Sequence, residues 1–248
     1  MSGAYRRRVR PTGDIRQETR RDRDERAVSA RSLLAVMTAF AAGSLPFSNW
    51  AARRRAGVDL RRFGTGTVSG SGLARVAGTK VLVAVGLLEL AKGAVGPALA
   101  GRRRPLAAAL AGAAAVAGHN WSPWLGGAGG RGISPAMGAL AVSAPAGAGV
   151  LLAGLAFGRL LGETAVGSLV ADALVVPLAG RAHGGRGYLC AFAVLVPMLA
   201  KRLTGNGPAG TGDRRVYLYR LVFDRDDKAK PPVAEAPGAA APAGGVVN

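Results

Sequence analysis

A single cysteine, Cys190, stands in the whole chain of 248 residues, so no disulfide framework and no cysteine-based metal site can be built within one copy. It lies inside an apolar run and reads as a packing residue. Histidine is nearly as scarce, with two residues; no metal set is visible and no cofactor is expected. Aromatic residues make up only 5%, too few for the stacking platforms that bind nucleic acid. Acidic residues are outnumbered, 14 against 33 Lys and Arg, for a net charge of +19. Without nucleic acid as partner, basic loops beside anionic headgroups and anionic substrates account for that balance. Also missing is the ordered basic stub, short apolar core and A-x-A site of a signal peptide, so the first apolar run is expected to be a retained span.

What the chain has in abundance is apolar sequence, 49% of residues with a mean hydropathy of +0.22. It is segregated into the runs Ser32 to Trp50, Val81 to Ala100, Pro105 to Gly118, Ile133 to Gly158, Thr164 to Gly180 and Tyr188 to Ala200. Several approach the roughly 20 residues that a spanning helix needs. A soluble domain cannot bury so many segments that are apolar all round, because its helices need a polar outer face. Pro145 interrupts the fourth run by removing a backbone donor, so the expected fold is all-α, a polytopic transmembrane helical bundle of about six or seven membrane segments. Gly154, Gly158 and Gly162, at helical spacing, would permit close helix crossing.

Residues 1–30 mix Arg with Asp and Glu without apolar periodicity and are expected to form a disordered or surface-lying tail. Residues 229–248, rich in Ala, Pro and Gly, are expected to form a flexible one. Between them, 31–228 is read as one membrane domain.

The chemistry is expected in the loops. Residues 61–75 place Gly64, Thr65, Gly66, Thr67, Ser69, Gly70, Ser71 and Gly72 between Arg61-Arg62 and Arg75. Glycines let backbone N–H groups close around an anion, hydroxyls add donors, and arginine supplies paired ones; a flexible loop with a positive-inside flank is the other reading. Residues 118–132 combine His119, Trp121 and Trp124 with a glycine-rich turn carrying Arg131. They form either a second half of that anion site or a helix-end histidine with an interfacial tryptophan belt. Glu89 and Lys92 share a helix face, as a structural ion pair or as catalytic groups. Asp172, inside a later run, needs a remote arginine, an interior position or a proton. His183 lies in Arg181 to Arg186, which reads as a solvated connection, and is assigned nothing.

Several of these segments resemble, in order, the bacterial acyl-phosphate:glycerol-3-phosphate acyltransferases. Gly43-Ser44-Leu45-Pro46-Phe47 is similar to that family's G-S-I-P-F. Val58-Asp59-Leu60-Arg61, followed by Gly64-Thr65-Gly66 and Arg75, resembles V-D-I-R and G-S-G-N-x-G-A-x-N-x-x-R. Leu87 to Gly93 resembles L-x-D-x-x-K-G, and Gly118-His119 through Pro123 to Gly129-Gly130-Arg131-Gly132 resembles G-H-x-x-P followed by G-G-K-G.

The resemblance implies a multi-pass enzyme of the cell membrane that moves a fatty acyl group from acyl phosphate to the 1-hydroxyl of glycerol 3-phosphate, giving lysophosphatidic acid. By carry-over Thr65, Arg75, His119 and Arg131 are the catalytic candidates. Gly66, Thr67, Ser69, Ser71, Lys92, Gly129, Gly130, Gly132 and Arg220 are the substrate-binding ones. The H-x-x-x-x-D dyad of other glycerolipid acyltransferases is absent, since Trp124 stands where its aspartate would be. The chain departs from the pattern at Thr67 and Gly72, which replace motif asparagines, and at Arg131, which replaces lysine. It departs again at Arg214 and Tyr217, which replace the histidine and asparagine of a third motif that survives as Arg220-Leu221. A family member that binds lipid precursors or partner enzymes without turnover, and a small-anion transporter, are the alternatives. The resemblance places the motif loops and the C-terminus in the cytoplasm. Arg53 to Arg62 agrees under the positive-inside rule, whereas the N-terminal tail and Arg102 to Arg104 pull the other way. No signal for an oligomeric state is present.

Overall fold

The computed structural model describes residues 29–206 and 214–226. All of the expected N-terminal tail except its last two residues, and all of 229–248, lie outside the described residues.

Among the described residues every regular element is helical. Helix α1 covers 29–44 and gives way at Leu45-Pro46 to α2, Phe47–Ala56, whose last turn carries Arg53, Arg54 and Arg55 against the helix dipole before Gly57 closes it at φ 67°. A short 3₁₀ turn, Leu60–Arg62, leads into the first glycine-rich loop. Helix α3, Gly70–Ala77, starts where the Ser69 hydroxyl accepts the Gly72 N–H at 3.1 Å. Then follow α4, Thr79–Ala100, and α5, Pro105–Asn120, which has proline in its first turn, where no N–H is needed.

The run from Ile133 is broken at Ala144-Pro145, as its proline predicts, into α6, Ile133–Ser143, and α7, Pro145–Leu160. Helix α8, Thr164–Thr204, is two helices joined at Gly184, whose φ of 61° and ψ of −149° lie outside helical space. Its arms run antiparallel. Near the bend a Cβ on Gly187 would strike the Ala179 carbonyl, and at the open ends the Arg202 guanidinium reaches the Ser168 hydroxyl. The sequence treats Arg181 to Arg186 as a solvated connection between two runs. The residues are mostly exposed, but they continue the helix to the bend instead of forming a loop. A short α9, Arg215–Phe223, packs on α8.

Burial is inverted relative to a soluble protein. Leu33, Leu34 and Leu87 are each 63% exposed, whereas Glu89, Asp172, Lys201 and Arg202 are at most 3% exposed. Lipid is the solvent that permits this, and 29–56, Thr79–Ala100 and Thr164–Thr204 are long and apolar enough to cross a membrane. Since lipid gives helices no hydrophobic reason to associate, they meet through small residues. A Cβ on Gly93 would fall on the Pro135 carbonyl and one on Gly138 on the Leu90 carbonyl, so α4 and α6 touch backbone to backbone. Gly154 of α7 meets Ala171 and Gly167 of α8 in the same way, while Gly162 has open space beside it.

The helices sort the loops to two ends. At one, Arg31 Nε donates to the Leu99 carbonyl at 3.4 Å, and the His183 Nε2 accepts the Ala146 N–H at 3.1 Å. At the other, the α1–α2 break, the 57–69 and 121–132 loops, and the end of α8 with α9 converge.

Replacing Gly138 by valine is expected to force α4 from α6 and to destabilise the fold by about 1–3 kcal/mol or more, read as a lower melting temperature in detergent. Gly86→Ala, which meets nothing within 4 Å, is expected to leave melting unchanged or slightly raised.

Candidate active site

The site stands on a buried carboxylate. Glu89 lies halfway along α4, where an unpaired charge in lipid would be costly. Its Oε1 accepts from the Ser48 N–H at 3.2 Å and the Ser48 hydroxyl at 3.0 Å; its Oε2 meets Lys92 Nζ at 2.7 Å and His119 Nδ1 at 3.2 Å. Lys92 also donates at 2.7 Å to the Leu45 carbonyl, at the break between α1 and α2. The two side chains of the ion pair are 3% and 5% exposed, so Lys92 is committed beneath the surface and joins α1, α2, α4 and α5 through one polar cluster. His119 presents its other ring nitrogen to Gly130, where any Cβ would strike it.

Above this cluster two glycine-rich loops meet. In the first, Gly64 and Gly66 take φ of 60° and 70° on either side of Thr65, an arrangement that side-chain-bearing residues adopt rarely. The Val68 N–H donates to the Gly129 carbonyl at 3.2 Å. Asn206, just past the end of α8, stitches both loops. Its Nδ2 donates to the carbonyls of Gly66 and Gly129, each at 2.9 Å, and its Oδ1 accepts the Gly129 N–H at 3.1 Å. In the second loop Gly129 and Gly132 are needed for close packing, because a Cβ would strike the His119 and Asn120 carbonyls at one position and Val116 at the other. Ser122 donates to the Ser44 carbonyl at 2.6 Å and the Trp124 indole to the Ser44 hydroxyl at 3.2 Å, which pins this loop to the end of α1.

The cations fall into an exposed and a buried set. Arg75 is exposed, donates at 3.4 Å to the Ser71 carbonyl and lies 5.4 Å from the centre of the Phe63 ring, beside the Gly64 turn. Among the described residues no carboxylate pairs with it. Arg61 is held by Asp59 at 2.6 Å, and this hydrogen-bonded pairing pulls the Asp59 carboxyl down to about 2. Thr65 and Ser71 are exposed, and the Ser69 and Ser71 hydroxyls lie 3.1 Å apart at the start of α3. Arg131 is largely buried. Its Nη1 donates to the Lys201 carbonyl at 2.6 Å, its Nη2 to the Thr67 hydroxyl at 3.3 Å, and its Nε abuts the Asp224 carboxylate. Lys201, 1% exposed, stands 5.3 Å from the Trp121 ring centre.

The expected residues thus occupy one end of the bundle but different depths. Thr65, Gly66, Ser69, Ser71 and Arg75 form an outer rim; Thr67, His119, Gly129, Gly130, Arg131 and Gly132 lie beneath it, and Lys92 deeper still. Arg220 is engaged elsewhere, donating to the Thr204 carbonyl at 2.8 Å and pairing with Asp226 at 2.6 Å. Asp172 finds its remote arginine in Arg202, at 3.7 Å. Asn206, Lys201 and Asp224 are among the residues at this end that carried no expectation. Lys201, a cation closing an apolar helix, had a usable signal; Asn206 had only its place after the helix-ending Gly205. No group of three metal-ligating side chains occurs among the described residues.

Glu89→Ala leaves Lys92 buried without its counter-charge and is expected to cost about 3–5 kcal/mol. Combining it with Lys92→Met is expected to recover much of that loss, read as the melting temperature of the purified protein.

A model of the family described as glycerol-3-phosphate acyltransferase matches residues 33–202. Glycerol-3-phosphate acyltransferase 5 of Dehalococcoides mccartyi is 30% identical over 217 residues, covering 80% of this chain and 90% of that one. The acyltransferase 4 of the same species is 35% identical over 115 residues, 46% and 50% of the two chains. Glycerol-3-phosphate acyltransferase of Myxococcus xanthus is 40% identical over 113 residues, 44% and 59% of the two. The matched part thus spans from half to nine tenths of these relatives' lengths. Among solved structures, the glycerol 3-phosphate form of PlsY, an integral membrane glycerol 3-phosphate acyltransferase, has a TM-score of 0.61 at 26% identity, covering 69% of this chain and 88% of that one. The fold is also that of the lysophosphatidic acid form of PlsY, with a TM-score of 0.58 at 24% identity over 69% and 87% of the two chains. With its membrane-type helical bundle and a family match that runs from α1 to the end of α8, the chain belongs to the glycerol-3-phosphate acyltransferase family.

Proposed function

We propose that this protein, a multi-pass protein of the cell membrane, moves a fatty acyl group from acyl phosphate to the 1-hydroxyl of glycerol 3-phosphate at the face where its two glycine-rich loops meet. One observation carries this reading. Loops far apart in sequence are joined through Val68, Gly129 and Asn206 so that Thr65, Ser71 and Arg75 stand exposed on a rim above Arg131. Both substrates are phosphate anions, and such a rim offers them hydroxyls and a guanidinium with no competing carboxylate on Arg75 among the described residues. The apolar exterior of the helices suits an acyl tail that arrives from, and a product that returns to, the lipid.

In the reaction the 1-hydroxyl oxygen attacks the acyl carbonyl carbon and the bond from that carbon to the phosphate oxygen breaks. The electron pair of the broken bond and the hydroxyl proton both finish on the released inorganic phosphate. Acyl phosphate is already activated, so the protein's contribution is to position the reactants and to stabilise charge on the carbonyl oxygen and the leaving group. Arg75 and the hydroxyls of Thr65 and Ser71 hold phosphoryl groups at the rim. Arg131 supplies charge below, and His119 supports the second loop from underneath. A member that binds without turnover is the second reading, favoured by Arg131 and Arg220 both being engaged by carboxylates within the chain.

Membranes containing the protein are expected to form lysophosphatidic acid from acyl phosphate and glycerol 3-phosphate, and Arg75→Ala to lower the rate by more than about ten-fold through lost charge stabilisation. A well-folded sample that binds both substrates yet makes no product, beside an active control, would favour the second reading; an unimpaired Arg75→Ala would remove that residue's role.

A further inference from the structure

Asp224 ends α9 in an unusual way. It is the one residue other than glycine with a positive φ, 58°, among the described residues, and in that conformation it caps the helix by donating its N–H to the Arg220 carbonyl at 3.1 Å. Its carboxylate is thereby aimed at Nε of Arg131, whose Nη1 and Nη2 donate to the Lys201 carbonyl and the Thr67 hydroxyl. Two arginines fix α9 in the position that makes this possible. Arg202 Nη1 donates to the Leu221 carbonyl at 2.7 Å, and Arg220 Nη1 to the Thr204 carbonyl at 2.8 Å.

The place that Asp224 takes is one that a phosphate would suit. A guanidinium receives carboxylate and phosphate oxygens through the same N–H groups; the Thr67 hydroxyl stands beside it, and Lys201 adds a second buried positive charge nearby. Lys201 has no carboxylate of its own among the described residues. Carboxylate and phosphate compete for Arg131, because both are anions and would repel each other across one guanidinium, three of whose N–H groups already face the Lys201 carbonyl, the Thr67 hydroxyl and Asp224.

We propose that the Asp224 carboxylate is a built-in stand-in for a substrate phosphoryl group, which occupies Arg131 in the empty protein and has to withdraw before the inner anion position can fill. The proposal rests on the reading of Arg131 as an anion-holding residue. Asp224 then sets the anion affinity of the site. Phosphate binds only the minor population in which Asp224 has left Arg131, and its apparent affinity is reduced by that fraction. The same contact keeps a counter-charge beside a buried arginine when no substrate is present.

The test is the affinity of the detergent-purified full chain for inorganic phosphate, measured by calorimetry and so independent of turnover. Asp224→Asn removes the charge while keeping a residue that tolerates positive φ; Asp224→Gly is the second variant should the first fold poorly. Asp224→Asn is expected to bind phosphate roughly ten-fold tighter than the wild type, as when an occluded state of about 90% is removed. Arg131→Ala is expected to bind more weakly, and the double variant to behave as Arg131→Ala alone. Unchanged or weaker binding by Asp224→Asn, with Arg131→Ala weakened, would overturn the proposal and leave Arg131 as an anion holder. Unchanged binding by Arg131→Ala would remove that reading and the proposal with it.

Discussion

A carboxylate set in the middle of an apolar helix cannot be left to solvent, and Glu89 dictates much of what surrounds it. Its four polar contacts draw Ser48 of α2, Lys92 of α4 and the end of α5, through His119, to one point, and Lys92 extends the cluster to the Leu45 carbonyl where α1 breaks. Such a buried pair adds little net stability over apolar packing, but breaking it is expensive, so it fixes which helices meet and in what register. The second loop inherits that register. His119 faces Gly130, and Gly129 packs on the carbonyls that end α5. The rim above is therefore positioned by a buried charge pair.

Glycine serves this architecture in two separate ways. Gly93, Gly138, Gly154 and Gly167 let helix backbones touch in a medium that offers no hydrophobic drive for association. Gly64 and Gly66 instead let the chain turn through positive φ around Thr65. Gly132 combines a positive φ of 79° with close packing, its Cβ position overlapping the Val116 side chain. The two uses explain why the loops can lie so close to the helix ends that they leave a rim of hydroxyls and a guanidinium. They also tie the acyl-transfer reading to the membrane fold, since the same packing that suits lipid shapes the two glycine-rich loops.

Features set by local periodicity were readable in the sequence. The apolar runs became helices, Pro145 divided one of them, and the three-residue spacing of Glu89 and Lys92 placed them in contact. Where the outcome depended on a distant partner, the sequence had no local signature to offer. Nothing near Arg220 shows that it donates to the Thr204 carbonyl at the end of α8, and nothing near Asn206 shows that it joins Gly66 to Gly129. The Arg181 to Arg186 segment looked like a loop because it is polar, yet a bend between two helices needs only one residue outside helical space, and Gly184 supplies it. Asp172 lies between these cases: its need for an arginine was evident from burial in lipid, while the identity of Arg202 came only from the antiparallel pairing of the two arms of α8.

The central claim is that the two loops over the Glu89 cluster form the phosphate-handling face. An experimental structure of the protein with glycerol 3-phosphate bound tests it most directly. The account predicts phosphate density within hydrogen-bonding distance of Arg75 or Arg131, beside the hydroxyls of Thr65, Thr67 or Ser71, with the Glu89 to Lys92 ion pair still closed beneath. Phosphate bound at the opposite end of the bundle, around Arg102 to Arg104, or bound by Lys92 after the pair has opened, would contradict it.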